Sequence, residues 1–293
     1  MRIKANLILL LTALIWGSAF VAQRLAASQL GVFLINGSRF LLGGLILLAL
    51  ARFRMDLSWK KLRWMLLAGG LLFAASALQQ AGLITTTAAN AGFITGIYVV
   101  LVPVLLLVFG RQSQAWPVWA AVILTMVGMY LLSGTGEIRF IIGDWLVLIG
   151  ALFWALHVIV VGRAVEQVDV LQFSAGQFLV TAVLDFAFGL PLEWGTLPGL
   201  ADAWPAILYI GIFSTSIAYT LQAYGQKFAP PADAAIILSM EAVFSAIFGY
   251  LILAEKLNWS QLLGCALIFG AILLAQYPLL AAQRKAGQPA LDS

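Results

Sequence analysis

The chain has 293 residues, of which 63% are hydrophobic and only 10% charged, with a mean hydropathy of +1.02. A soluble domain carries roughly 25% charged residues, so these proportions exclude a soluble globule and require apolar segments that face lipid. The net charge of +4 comes from 16 basic residues scattered along the chain, with no basic stripe of the kind that binds nucleic acid. A single cysteine, Cys265, and a single histidine, His157, exclude an intrachain disulfide and the usual Cys/His metal clusters, so neither a metal nor another cofactor is expected.

In chain order, apolar runs of bilayer length fall at about 4–23, 32–51, 63–82, 90–109 and 115–132, then at 143–162, 171–190, 204–222, 233–253 and 260–279. The first run follows Met1-Arg2-Ile3-Lys4 but exceeds the 7–15 residues of a signal-peptide core, so it reads as a retained helix. The second and third runs are joined by a strongly basic segment, residues 52–63. Pro103 interrupts the fourth run and predicts a static kink. The segment from Glu193 to Asp202, with Gly195, Pro198 and Gly199, reads as a loop. The expected fold is an all-α integral membrane protein of ten transmembrane helices.

With the N-terminus inside, twelve Lys and Arg lie on the cytoplasmic side and four (Arg24, Arg39, Arg139 and Lys256) outside. The positive-inside bias therefore predicts a multi-pass protein of the inner (plasma) membrane with both termini cytoplasmic.

The two halves align on each other. Ala13-Leu14-Ile15-Trp16 matches Ala151-Leu152-Phe153-Trp154, and Ser38-Arg39-Phe40-Leu41 lies over Gly176-Gln177-Phe178-Leu179, both at an offset of 138. Gln79 over Gln222, Asn90-Ala91 over Asp233-Ala234 and Trp116 over Trp259 share an offset of 143. Five spans per unit is an odd number, so the second copy enters the membrane in the opposite sense. The units are residues 4–133 and 143–279, followed by a cytoplasmic tail, 280–293. Inverted repeats are a mark of secondary transporters, whose sites lie near the midplane between the halves.

Ala-Leu-Ile-Trp-Gly-Ser-Ala-Phe (13–20), Thr-Ala-Ala-Asn-Ala-Gly-Phe-Ile-Thr-Gly (87–96), Gly-Ala-Leu-Phe-Trp-Ala-Leu (150–156) and Pro-Pro-Ala-Asp-Ala-Ala (230–235) resemble the EamA family of the drug/metabolite transporter superfamily. The resemblance covers residues 4 to about 277. It implies ten helices in two inverted units, a central cavity, and export of amino acids or similar small metabolites. Where the family has Leu-Glu-Pro-Val-Phe, this chain has Met240-Glu241-Ala242-Val243-Phe244, so the usual proline reason for a kink is missing there.

Polar groups inside the bilayer cost about 2.5–3.5 kcal/mol each on insertion scales, so each needs a reason. Glu241 and His157 fall near the midplane at similar heights and are the candidates for substrate binding and proton coupling. Trp16 and Trp154 lie deep in their spans at equivalent positions. With Gln79, Phe93, Tyr98 and Tyr219 they are the candidate walls of a pocket for a small-molecule substrate. Arg39 and Asp185, at matching heights nearer the outer face, read as a structural ion pair. Trp59, Trp64, Trp116, Trp119, Trp194, Trp204 and Trp259 fall at span ends, as interfacial belts require. The alternatives to a carrier are a lipid flippase or channel, or a membrane-embedded enzyme. No phosphate-binding loop of the Gly-x-x-x-x-Gly-Lys-Ser/Thr type occurs, which argues against direct ATP drive.

Overall fold

The computed structural model describes residues 2–86, 88–133, 141–253 and 258–286, and these are all-helical, without a strand. Helix α1 runs Arg2–Ala27, α2 Val32–Leu50 and α3 Trp59–Gly82. The next apolar run is divided into α4 (Ala88–Thr95) and α5 (Tyr98–Val108), and α6 follows at Trp116–Ser133. In the second half, α7 is Ile142–Ala164 and α8 Val170–Glu193. A 3-10 turn, Trp194–Gly199, leads into a rod made of α9 (Leu200–Tyr209), a π-helical stretch Ile210–Tyr219, and α10 (Thr220–Gln226). Then come α11 (Pro231–Leu238), α12 (Met240–Leu253) and α13 (Trp259–Ala286).

Six helical stretches are long and apolar enough to cross a bilayer: Arg2–Ala27, Val32–Leu50, Trp59–Gly82, Ile142–Ala164, Val170–Gln226 and Pro231–Ile252. Tyr98–Val108, Trp116–Leu131 and Trp259–Ala275 are apolar but shorter. The distribution of polarity fits lipid surroundings. Leu45, Ile123, Val183 and Leu251 are exposed on the outer faces, whereas Asn36, Arg39, Gln80, His157, Gln177 and Asp185 are buried between helices. Trp59, Trp116, Trp194, Trp204 and Trp259 are exposed near helix ends, where amphipathic rings meet the headgroup layer.

The segment predicted as a loop at Glu193–Asp202 is helical instead. Its winding serves α2, whose N-cap, Gly31, has no side chain to offer. The Glu193 carboxylate accepts from the Phe33 and Leu34 amides at 3.2 and 3.0 Å, and the Thr196 hydroxyl accepts from Gly31 N at 3.0 Å. Three orphan donors at a helix start are thereby satisfied from another element.

The helices pack so that the contacts of one half recur in the other. Helix α2 lies along its sequence mate α8, and α6 along its mate α13. Phe40 and Phe178, 138 residues apart, pack as a tilted pair with ring centroids at 5.9 Å. Gly82 packs against Val147 and Gly143, while Gly225 packs against Leu9 and Ala5, the residues 138 positions earlier. A missing Cβ at each glycine brings two helices close at corresponding places.

Candidate substrate cavity

Two helical rods are broken at corresponding points. The first parts at Gly96-Ile97 between α4 and α5, upstream of Pro103, which is itself accommodated within α5. The second parts at Ser239 between α11 and α12. No proline is needed there. The Ser239 hydroxyl turns back onto the Ile236 carbonyl at 2.6 Å, and Ala242 N bonds the Ser239 carbonyl at 3.1 Å, a tight i→i+3 closure that bends the chain. The break is therefore present without that proline, closed as at Gly96, where Val99 N bonds the Gly96 carbonyl at 3.0 Å.

Both breaks open onto one cavity. Its walls are Trp16, Phe20, Gln79, Thr95, Tyr98, Trp154, Val158, Tyr219, Gln222, Leu238 and Glu241. At the offsets 138 and 143 these residues pair as Trp16/Trp154, Phe20/Val158, Gln79/Gln222, Thr95/Leu238 and Tyr98/Glu241, with Tyr219 left over. The cavity thus lies where the halves exchange places. It is narrow, with about 40 Å³ in which the centre of a water molecule can move.

The chemistry of the walls is aromatic with a few aimed polar groups. Gln79 Nε2 donates to Thr95 Oγ1 at 2.9 Å, which fixes that amide. Glu241 sits in the first turn of α12, where the free amides of a helix start favour a negative group. The Tyr98 hydroxyl meets the Glu241 carboxyl, yet no atom closes a full hydrogen bond to that hydroxyl. Trp16 Nε1 donates to the Ser214 carbonyl at 3.1 Å, whereas the Nε1 of its mate Trp154 has no partner among the described residues. Among the described residues, then, Trp154 Nε1–H is a buried donor without a partner, and the Tyr98 hydroxyl lies against the one carboxylate of the walls. No lysine or arginine is among them.

An amide chain separates this cavity from a second one. Gln222 Nε2 donates to Gln226 Oε1 at 3.0 Å, and Gln226 Nε2 donates to the Val158 carbonyl at 2.8 Å. Gln226 is also a wall of a wider space of about 360 Å³ at the ends of α5, α7 and α10, lined with Arg163, Glu166 and Lys227.

Of the eight residues predicted from sequence, Trp16, Gln79, Tyr98, Trp154, Tyr219 and Glu241 come together on this cavity. The side chain of Phe93 lies outside those described. His157 is not a wall and is not beside Glu241. It is fully buried behind Trp154 and Tyr219, and its Nε2 is bonded to Gln177 Oε1 of α8 at 2.9 Å. Rotation about the helix axis turns the imidazole toward α8. Arg39 and Asp185 also depart from expectation, since among the described residues they form no ion pair within 4.0 Å. Arg39 Nη1 instead reaches Gln23 Oε1 at 3.5 Å and its guanidinium lies over the Phe40 ring at 4.6 Å, while both Asp185 oxygens lack a donor among the described residues. Sequence reasoning missed Phe20, Thr95, Val158 and Leu238. Repeat symmetry finds the wall residue Gln222 from the predicted Gln79 at the offset of 143, but has no starting point for these four.

The fold and the cavity define a multi-pass, all-helical membrane protein with a buried, polar-lined centre between matching halves. Comparison with known proteins gives the family. The profile described as the EamA-like transporter family matches residues 3–134 and again 141–277, and the chain belongs to that family. An uncharacterized transporter of Archaeoglobus fulgidus is 32% identical over 281 residues, covering 93% of this chain and 86% of that one. The uncharacterized transporter YwfM of Bacillus subtilis is 26% identical over 92% of both chains. A WAT1-related chloroplastic protein of Arabidopsis thaliana is 24% identical over 90% of this chain and 67% of its own. A solved crystal structure shares the fold, with a TM-score of 0.80 at 22% identity over 98% of this chain and 100% of that one. Family and relatives point to a transporter rather than an enzyme.

Proposed function

We propose that this protein is a secondary transporter of ten membrane spans in two inverted five-helix repeats. It moves small organic metabolites across the inner membrane by alternating access, with both termini in the cytoplasm. The observation that carries this reading is the cavity wall itself: five pairs of repeat-related residues around a site flanked by two broken helices, at corresponding positions in the two halves. When the halves exchange conformations, such a site meets first one side of the membrane and then the other. By the charge count, the wide space around Arg163, Glu166 and Lys227 is the cytoplasmic vestibule, and the Gln222–Gln226–Val158 chain is the partition in front of it.

The substrate class follows from the polar groups. One carboxylate among aromatic faces suits an ammonium group, and the unpartnered Trp154 indole N–H suits a carboxylate or carbonyl. Amino acids carry both, and export is the direction that the family resemblance implies. Glu241 is the proton-coupling group, because a carboxylate at that depth changes protonation with the wetting of its cavity. His157, held by Gln177, serves in positioning the wall and not in relay.

Counterflow in proteoliposomes against amino acids, amines and sugars tests the reading. Exchange of amino acids is the expected result, and the absence of exchange for the whole panel refutes it. Glu241→Gln keeps the size and removes the titration, so proton-gradient-driven uptake should disappear while exchange persists. Full retention of gradient-driven uptake makes the carboxylate structural.

A further inference from the structure

The pairing of wall residues leaves one without a mate, and the backbone shows why. Three packing correspondences measure the register between α3 and the α9–π–α10 rod. Gly69 packs against Val180, and Gly211 packs against Leu42, which is 138 positions before Val180. Those two glycines are 142 apart. The Ala75 carbonyl lies against Gly150, and the Ala218 carbonyl accepts from Thr12, the mate of Gly150, at 3.4 Å. These alanines are 143 apart, as are Gly82 and Gly225. One extra residue therefore lies between Gly211 and Ala218.

The π-helical stretch Ile210–Tyr219 absorbs that residue, whereas the corresponding part of α3 is ordinary α-helix. A π-winding is how a helix takes in a single insertion without losing its ends, and such stretches are rare and concentrate at functional places. Two side contacts hold this one. Ser216 Oγ donates to the Gly211 carbonyl, five residues back, at 2.9 Å, and Trp16 Nε1 donates to the Ser214 carbonyl.

Tyr219 is the last residue of the stretch, and its ring stands between residues that are mates of each other. Its centroid is 4.7 Å from Trp16 and 6.2 Å from Trp154, and 6.2 Å from Phe40 and 5.7 Å from Phe178. That is the place of the local two-fold axis, where two rings cannot both stand. The first half accordingly has the small, buried Ser76 at the offset of 143.

We propose that Tyr219 is the specificity-determining residue of the cavity: a single on-axis ring, set in place by the π-insertion, that limits the size of the solute lodging between Trp16 and Trp154. This rests on the transporter reading above. The ring explains why the space between two indoles is so small. A hole of about 150 Å³ in an apolar interior accepts a benzene ring, so removing the phenol side chain opens room for roughly one six-membered ring.

Two measurements on the full-length protein test it. In counterflow with alanine, leucine, phenylalanine and tryptophan, Tyr219→Ala should raise the largest exchanged solute by about one ring relative to wild type, and Tyr219→Phe should leave the limit where it was. In detergent, p-cresol, the side chain that was removed, should raise the melting temperature of Tyr219→Ala by a few degrees at about ten times its Kd and leave wild type and Tyr219→Phe unmoved. An unchanged size limit in Tyr219→Ala overturns the proposal while the transporter reading stands. Equal p-cresol shifts in all three proteins overturn it without reference to transport. Absence of exchange by wild type refutes the transporter reading instead, and the p-cresol measurement still decides whether Tyr219 fills a ligand-sized space.

Discussion

Trp16 and Trp154 occupy equivalent positions, yet their indole N–H groups have opposite fates, and this contrast gives a sharp prediction. Trp16→Phe removes the 3.1 Å bond from α1 to the Ser214 carbonyl. Trp154→Phe removes a donor that has no partner among the described residues. Hydrogen bonds between membrane helices average about 0.6 kcal/mol and reach about 1.7 kcal/mol. Both substitutions lose similar apolar area, so the difference between them isolates the bond. With about 2–4 °C per kcal/mol for a chain of this size, Trp16→Phe should melt roughly 1–7 °C below Trp154→Phe. Transport should show the reverse order. A donor lost to the substrate costs about 0.5–1.5 kcal/mol, so Trp154→Phe should raise the half-saturating substrate concentration about 2- to 13-fold, and Trp16→Phe less. Thermal unfolding in detergent and counterflow in proteoliposomes read the two effects. Equal melting temperatures, or a half-saturation that moves only in Trp16→Phe, would refute the reasoning.

Three further outcomes follow from the geometry. Asp185→Asn should change stability by less than about 1 kcal/mol, because neither carboxylate oxygen has a donor among the described residues; a loss of about 3–5 kcal/mol would reveal an ion pair with Arg39 after all. In a Cys265→Ser background, a cysteine at position 196 should react with an impermeant reagent from outside intact cells and one at position 60 should not, and labelling of position 60 would reverse the topology. The Asp56 carboxyl is held at about 2 by hydrogen bonds from Lys61 and Ser58, so its contribution is present above the usual 3.8 and is lost only as pH falls through about 2. Its carboxyl carbon resonance should show that low midpoint and return toward 3.8 in Lys61→Gln.

What the sequence determined by itself is what depends on composition and one-dimensional order. Apolar runs of bilayer length set the helices, since a backbone in lipid must satisfy its own hydrogen bonds. The offsets of 138 and 143 announced two matching halves, and the depth of Trp16, Trp154 and Glu241 along their runs marked the level of the cavity. Rotation about each helix axis is another matter, because every side chain in these runs is tolerated by lipid or by protein. Only packing turned His157 toward Gln177 and away from the cavity, and parted Arg39 from Asp185. The break at Ser239 has no proline to announce it and shows itself only as a tightened turn in the folded chain. The extra residue between Gly211 and Ala218 is likewise silent in the sequence, since a one-residue slip among apolar helices leaves no mark until both ends are pinned against neighbours. Tertiary contacts fix those ends at Leu42 and Thr12, and the π-winding that reconciles them is what carries Tyr219 to the axis.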